Sequence, residues 1–348
     1  MPDITVQGAG IFGLSIAFVC LRRGADVRVI DPKGPGGGAS GGLVGAMAPH
    51  VPENWNAKKA FQLESLLSAE VFWQKVEEVG GGSPGYARTG RLQPIEDETA
   101  KRLAMSRADG ARTLWQGRAD WRIVQASQFE FTPPSPTGFV IHDTLTARVH
   151  PRQACEALAR AIIALGGEIT ADARVSGRIV DATGVAGLDA LSQDLKAPVG
   201  TGIKGQAALL GFDARYAPQI FADTLHVIPH ADGTTAIGST SERDYATPDE
   251  TDDQLEQLIA RARGAVPALM NAPVLERWAG VRPRARSRAP MLGACPAQPG
   301  RFIANGGFKI GFGMAPRIAE VMADLILENR DAIPADFRVE ASLPAGVR

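Results

Sequence analysis

The sequence predicts an α/β fold, α+β overall, in which a Rossmann-like nucleotide-binding unit is interleaved with an antiparallel sheet that carries helices. Three observations predict it. A glycine turn, Gly8-Ala9-Gly10-Ile11-Phe12-Gly13, stands between an apolar strand and an apolar helix. An acid, Asp31, closes the next strand. Short strand-like runs separated by turn residues fill residues 85–140 and 200–275.

The first strand is carried by Ile4 and Val6, which alternate. Leu14, Ala17, Phe18 and Leu21 then recur at helical spacing, and Gly24 stops the helix. Val27, Val29 and Ile30 form the second strand, and Asp31 stands 18 residues past Gly13. Gly8 permits the tight turn, Gly10 opens the backbone N–H groups to a pyrophosphate at the helix N-terminus, and Gly13 brings helix and strand together. Asp31 is placed for a ribose hydroxyl and would repel a 2′-phosphate, which disfavours NADP.

The 348 residues leave room for two domains or one large intertwined unit. Lys plus Arg is 37 against 38 for Asp plus Glu, a net charge of −1, which argues against a chain built mainly to bind nucleic acid or a membrane surface. With 45% hydrophobic and 22% charged residues, wholesale disorder is excluded. Cys20, Cys155 and Cys295 are far apart and form no CxxC pair, so neither a metal site nor a disulfide framework is expected. The apolar run Ile11–Leu21 is too short to span a bilayer, and no secretory signal precedes it. A cytoplasmic protein without a membrane anchor is expected.

After Asp31 and Lys33 comes a run of small residues: Gly34-Pro35-Gly36-Gly37-Gly38-Ala39-Ser40-Gly41-Gly42, then Leu43-Val44-Gly45-Ala46-Met47-Ala48-Pro49. Backbone without bulky side chains can approach a flat ligand closely. Further on stand Pro151-Arg152, Ala182-Thr183-Gly184, Ala279-Gly280-Val281-Arg282-Pro283 and Gly306-Gly307-Phe308-Lys309. In this order the six segments, with Gly8–Gly13 the first, resemble the D-amino-acid oxidase superfamily of flavoproteins, nearest its glycine oxidase and sarcosine oxidase branch. The resemblance covers most of the chain. It implies FAD as cofactor and a FAD-binding domain interleaved with a substrate domain. The expected FAD-binding domain is residues 1–84, 138–200 and 276–335. The substrate domain is 85–137 and 201–275, with a tail at 336–348.

In the middle of the chain, Pro151 suits the first turn of a helix carrying Ala154, Leu158, Ala159 and Ile162, ended by Gly166-Gly167. A strand is expected over Ile169–Val175. The resemblance implies that the Val175 backbone touches the adenine; an ordinary buried valine is the other reading. Relatives insert a β-meander before Ala-Thr-Gly, whereas only three residues separate Val175 from Ile179 here. Strands are expected at Gly90–Leu92, Phe139–Ile141, Leu209–Gly211, Leu225–Pro229 and Thr235–Gly238. Asp252 can cap a helix with Leu255, Leu258 and Ile259, and a last helix runs from Gly313 to Leu327.

For FAD, the resemblance and the motifs together nominate Gly8, Gly10, Ile11, Phe12, Gly13, Asp31, Lys33, Ala39, Ser40, Gly45, Ala46, Met47, Val175, Ala182, Thr183, Gly184, Arg282, Gly306, Gly307, Phe308, Lys309 and Ile310. Non-covalent FAD is expected, because the attachment cysteine of sarcosine oxidases stands in a Cys-x-Tyr context, whereas Cys295 lies in Ala294-Cys295-Pro296.

Oxidation of an amine by flavin moves a hydride from substrate carbon to cofactor, so the protein needs an anchor for the substrate more than a charged base. Arg282 is the first anchor, since a guanidinium fork matches a carboxylate. Its neighbours Arg277, Arg284, Arg286 and Arg288 leave a solvated cluster as the other reading. Lys309 is the second, in a Gly-Phe-Lys context like that of sarcosine oxidases. His50 and His226 either border the pocket or are hydrogen-bonded structural histidines. Trp278 reads as packing.

The resemblance thus implies oxidation of the C–N bond of a small amino acid or N-substituted glycine, with O2 or an electron carrier as acceptor. A tRNA wobble-uridine carboxymethylaminomethyl oxidase of the same superfamily is the alternative, the only reading with a nucleic-acid partner. A non-catalytic flavin-binding protein is the third. Homo-oligomer formation is left open by the sequence.

Overall fold

A computed structural model describes residues 1–296 and 298–344. Two large sheets organise it. The first has six strands in the order β15-β16-β9-β1-β2-β8: β1 (Ile4–Gln7), β2 (Val27–Ile30), β8 (Glu168–Thr170), β9 (Arg178–Asp181), β15 (Met291–Ala294) and β16 (Arg301–Asn305). All its neighbours pair parallel except β15 with β16.

The second sheet has eight strands, β14-β10-β13-β12-β11-β4-β6-β5. They are β4 (Arg91–Pro94), β5 (Trp121–Gln125), β6 (Phe139–Asp143), β10 (Gly200–Leu210), β11 (Gln219–Ala222), β12 (Leu225–Pro229), β13 (Thr235–Gly238) and β14 (Val274–Ala285). It is antiparallel apart from the β4–β11 pair. A two-stranded ribbon, β3 (Ala46–Met47) with β7 (Ala147–Arg148), completes the strands.

The helices are α1 (Ile11–Arg22), α2 (Ala57–Gly80), α3 (Glu98–Leu114), α4 (Pro151–Ala164), α5 (Gly184–Asp194), α6 (Asp253–Ala265) and α7 (Gly311–Glu328). Helix α1 is buried from Ile11 to Leu21, because β1 and β2 lie beneath it and α4 and α7 flank it. An all-apolar helix is what such a position demands. Full burial of Leu14, Ile16 and Phe18 contributes about 1.5–3 kcal/mol each. The expected caps are present: Asp252 accepts from the Gln254 N–H, and Pro151 opens α4 with His150 as its N-cap. Helices α2, α3 and α5 were not anticipated; Asn56 and Asp97 cap the first two.

Several expectations need correction. The strand expected over Ile169–Val175 is only Glu168–Thr170. Its partner β2 ends at Ile30, and the last ladder bond runs from Asp31 N–H to Thr170 O, so nothing pairs with residues 171–175. Val175 is exposed at 36% and therefore not a buried core valine. The expected boundaries at 138 and 276 put Phe139–Asp143 and residues 276–285 of β14 with the first unit. Their hydrogen bonds place both strands in the eight-stranded sheet. In the described part of the tail Phe337 is fully buried, 5.0 Å from the Phe61 ring; residues 345–348 lie outside the described residues.

Between Val175 and Ile179 the chain turns tightly. Gly177 takes φ +69°, and a Cβ there would sit 2.3 Å from Asp3 O. Thr5 Oγ1 donates to Ser176 O at 2.7 Å, which straps the turn to β1. Among the described residues no helix is long and apolar enough to cross a membrane.

Candidate functional site

The glycine turn is shaped by close backbone approach. Gly8 has φ +101°, and a Cβ there would meet Ala182 O at 2.4 Å. A Cβ on Gly13 would sit 2.0 Å from Gly8 O, which is why helix and strand can pack so tightly. Gly10 offers α1 no side-chain cap, and Ile11 N–H donates to Ser40 Oγ at 3.0 Å. Asp31 accepts from Ala9 N–H at 2.8 Å and from Lys33 N–H at 2.9 Å, so the acid stands at the mouth of the turn. The chain from β9 brings Ala182, Thr183 and Gly184 (φ +63°) against Gly8, and Asn305 Nδ2 donates to Gly184 O at 2.8 Å. A helix N-terminus without a cap, beside a hydroxyl and a carboxylate, suits a dinucleotide: pyrophosphate on the helix, ribose on the acid. These residues fit FAD.

Ala39 and Ser40 form a short 3-10 turn that ends at Gly41. Arg152 holds that turn to the second sheet. Its Nε donates to Gly41 O at 2.8 Å, and its fork meets Glu276 of β14 at 2.9 and 2.6 Å. The arginine of the Pro151-Arg152 motif therefore ties the small-residue turn to β14. Gly45 lies so close to Val149 O that a Cβ would be 1.9 Å away, and Ala46 and Met47 form β3 beyond it. On the other side, Gly307 rests on Phe12, with a Cβ 2.8 Å from the ring, and Ile310 is the N-cap of α7.

The eight-stranded sheet presents two faces. On one, Leu92, Ala208, Leu210, Ile220, Val227 and Ile237 pack with Leu255, Leu258 and Ile259 of α6. The other face follows from register and the two-residue alternation of strands. Arg282 pairs with Ile203, Gly280 with Gly205, Ala207 with Gly238, Gly238 with His226, and His226 with Phe221. Glu276, Trp278, Gly280, Arg282, Gly205, His226 and Phe221 therefore share this face, and so does Arg91 of β4, which pairs with Gln219.

Arg282 lies across Gly205, where a Cβ would sit 1.7 Å from its Nη1. The small residue makes the arginine's bed, a requirement that only the pairing register reveals. Its hydrogen bond goes to Thr240 O at 3.4 Å. Burial lowers its pKa to about 10 and the Glu242 charge opposes that, so it stays a cation at neutral pH. Lys309 reaches solvent along part of its length, yet partial loss of hydration first, and then the Arg282 charge, push its pKa down. His226 is pushed down to about 3, by burial first and then by Arg91 and Lys309, so the ring is neutral. Its Nδ1 is buried without a hydrogen-bond partner among the described residues, and the ring sits 4.7 Å from Phe221.

Arg282, Lys309 and His226 are thus brought together, with Arg91 as a member the sequence did not announce. Arg91 is neutralised by Asp143 at 2.9 Å, and both are buried. His50 is not among them. Its backbone N–H donates to Gln62 Oε1 at 2.8 Å, its ring Nδ1 meets the same oxygen, and its charged neighbours are Lys58 and Lys59. Trp278 lies over Gly280 and against Gly42, a packing position. Val175 is exposed, outside any strand.

A family model described as DAO, FAD dependent oxidoreductase, matches residues 3–325. Glycine oxidase of Pseudomonas putida is 27% identical over 98% of this chain and 99% of its own length. The bifunctional protein ThiO/ThiG of Nostoc sp. is 26% identical over 98% of this chain, which spans only 55% of that longer protein. Among solved structures, glycine oxidase from Geobacillus kaustophilus superposes with a TM-score of 0.83 at 19% identity, covering 97% of this chain and 98% of that one. Iminodiacetate oxidase from Chelativorans sp. gives 0.84 at 21% identity, covering 96% and 98%. These likenesses to solved structures show the fold. With the match running through both sheets and the turn that opens α7, the chain belongs to the DAO family of FAD-dependent oxidoreductases.

Proposed function

We propose that this chain oxidises the C–N bond of a small amino acid or an N-substituted glycine to the imine, which water hydrolyses to an oxo acid and an amine. The carrying observation is that two cations with no carboxylate partner among the described residues, Arg282 and Lys309, converge beside a neutral histidine. The end-to-end likeness to a protein named glycine oxidase supports the same reading.

Bound FAD supplies the acceptor for the hydride that leaves the substrate α-carbon. Arg282 holds the substrate carboxylate in its fork, and Lys309 adds a second positive charge. Those charges also disfavour an ammonium nearby, so the amine binds with its lone pair free to form the C=N bond. His226 accepts a hydrogen bond from the substrate N–H at Nδ1 while its proton rests on Nε2. The N-terminus of α7 favours negative charge at the turn 306–310. Gly8–Gly13, Asp31, Ser40 and Ala182–Gly184 hold the nucleotide part, and the FAD is non-covalent. In this reading the six-stranded sheet carries the cofactor and the eight-stranded sheet forms the substrate wall. O2 or an electron carrier reoxidises the cofactor. Three free, buried thiols, Cys20, Cys155 and Cys295, suit a reducing cytoplasm.

The test is anaerobic flavin reduction in the purified holoprotein with glycine, sarcosine, D-alanine, D-proline and carboxymethylaminomethyl-uridine in turn. Loss of oxidised-flavin absorbance with a small amine is the expected result. Bleaching by dithionite and by none of the small amines would sink this reading, and bleaching by the nucleoside alone would favour the tRNA alternative.

A further inference from the structure

We infer that Thr240 and Glu242 are positioning residues for Arg282, acting through the sheet from the side away from the substrate. The inference rests on the amine-oxidising reading above and deepens it, by naming what holds the carboxylate anchor in place.

Three consecutive residues of β10 face two ways. Gly205 beds the Arg282 guanidinium on the substrate face. Lys204 and Gln206 flank it, so strand alternation turns both of their side chains to the opposite face. Farther along that face, Ala208 and Leu210 pack with the apolar residues of α6. Directly behind the arginine the protein buries Lys204, Gln206 and Glu242 instead. Buried charges are costly, and apolar residues of similar volume commonly serve stability as well or better. An ionic cluster at this one place needs a reason besides stability.

The hydrogen bonds supply one. Beyond β13 the chain continues alongside β10 as far as Glu242, which bridges to Lys204. Thr240 N–H donates to Gln206 O at 3.1 Å, Lys204 N–H to Glu242 O at 3.0 Å, and Glu242 N–H to Lys204 O at 2.9 Å. Thr240 Oγ1 accepts from Gln206 N–H at 2.7 Å and donates to Glu242 Oε1. Gln206 Nε2 donates to the same Glu242 oxygen at 3.1 Å and to Asp252 Oδ1 at 2.8 Å. The hydroxyl of Thr240 is thus fixed within the cluster. Its carbonyl, 3.4 Å from Arg282 Nη1, takes the one hydrogen bond that the arginine makes among the described residues. Nε and Nη2 donate to nothing among those residues, which leaves one edge of the fork for a substrate carboxylate.

Glu242 adds charge to this geometry. Its Oε2 is buried without a hydrogen-bond partner among the described residues, and Lys204 Nζ stands off at 3.8 Å. Asp252 shares that lysine at 3.5 Å. A buried carboxylate so loosely matched acts on its surroundings, and its charge opposes the loss of hydration that weakens the Arg282 cation.

The test is anaerobic flavin reduction, over a range of substrate concentrations, by glycine, by sarcosine and by the amide of each. It compares the wild-type holoprotein with Thr240→Val, Thr240→Ser, Glu242→Gln, and Thr240→Val combined with Glu242→Gln. Thr240→Val should raise the half-saturating concentration of the acids ~10-fold, hold the limiting rate within ~2-fold, and leave the amides unchanged. Thr240→Ser keeps the hydroxyl and should restore most of the loss. Glu242→Gln should act in the same direction as Thr240→Val, and the combined variant should lose little more than either alone, because the two residues form one chain of contacts. Acids and amides weakened alike would mean that the cluster serves only the fold. Acids bound as in the wild type by both Thr240→Val and Glu242→Gln would mean that Arg282 is held without it. Either result overturns the inference and leaves the amine-oxidising reading intact, and so would fully additive losses in the combined variant. Wild-type flavin left oxidised by all four compounds overturns both.

Discussion

The proposed cofactor cradle and the proposed substrate face are built on different terms. The cradle is mostly backbone: Gly8, Gly13 and Gly45 are positions where a Cβ would lie 1.9–2.4 Å from a main-chain oxygen. The substrate face is side chains set on a sheet, with Arg282 bedded on Gly205, Arg91 locked to Asp143, and His226 between Phe221 and the cations. The first tolerates no added atom, and the second tolerates shape changes but not changes of charge. Substitutions should therefore fail in different ways in the two regions.

The largest effect is expected in the cradle. Gly8→Val forces a side chain into Ala182 at a left-handed φ, and should cost about 3 kcal/mol or more, seen as loss of bound FAD and a lower Tm. A yellow, fully loaded variant would break the contrast. Next comes Arg282→Met, which should keep its FAD yet lose ~100-fold in kcat/KM toward carboxylate substrates, with Lys309→Met losing ~10-fold. Loss of FAD without change in substrate preference would assign Arg282 to the cradle instead.

A subtler contrast is expected in the pH dependence of stability. His226 and His230 are pushed down to about 3 and about 4, mainly by burial. Between those values and the ordinary 6.5, the unfolded chain binds protons that the native protein does not. Stability is therefore undiminished by these groups above about pH 6.5 and falls as pH drops below it. His226→Gln should remove up to one proton's worth of slope, ~1.4 kcal/mol per pH unit, from denaturant titrations across that window. An unchanged slope would mean that the ring is solvated. The smallest effect belongs to the joint between the regions: Arg152→Gln frees the Ala39–Gly41 turn from Glu276, and about 1 kcal/mol and a modest weakening of FAD binding are expected for this half-exposed pair.

The same contrast explains what the sequence made legible. Gly8–Gly13, Asp31 and the strands around them are consecutive, and local chemistry dictates them, so the first sheet and its cradle could be read directly. Lys309 and Arg282 could be singled out through their motifs, because each sits in a recognisable run, and the structure brings the two near each other. Arg91, Asp143 and Gly205 were not. They come from β4, β6 and β10, and only the register of a folded sheet puts them beside His226. The strand expected to reach Val175 failed because its length is set by β2, a partner 140 residues away in the chain (Arg28 to Glu168). His50 stood next to the cradle in sequence, but α2, whose amphipathic pattern went unread, draws it to Gln62.

The most direct measurement is anaerobic flavin reduction by sarcosine and by sarcosine amide, in the wild-type holoprotein and in Arg282→Met. The expected result is reduction by sarcosine, reduction by the amide slower by ~100-fold, and near-equal slow rates in the variant. Equal rates for acid and amide in the wild-type protein would contradict a carboxylate held by Arg282.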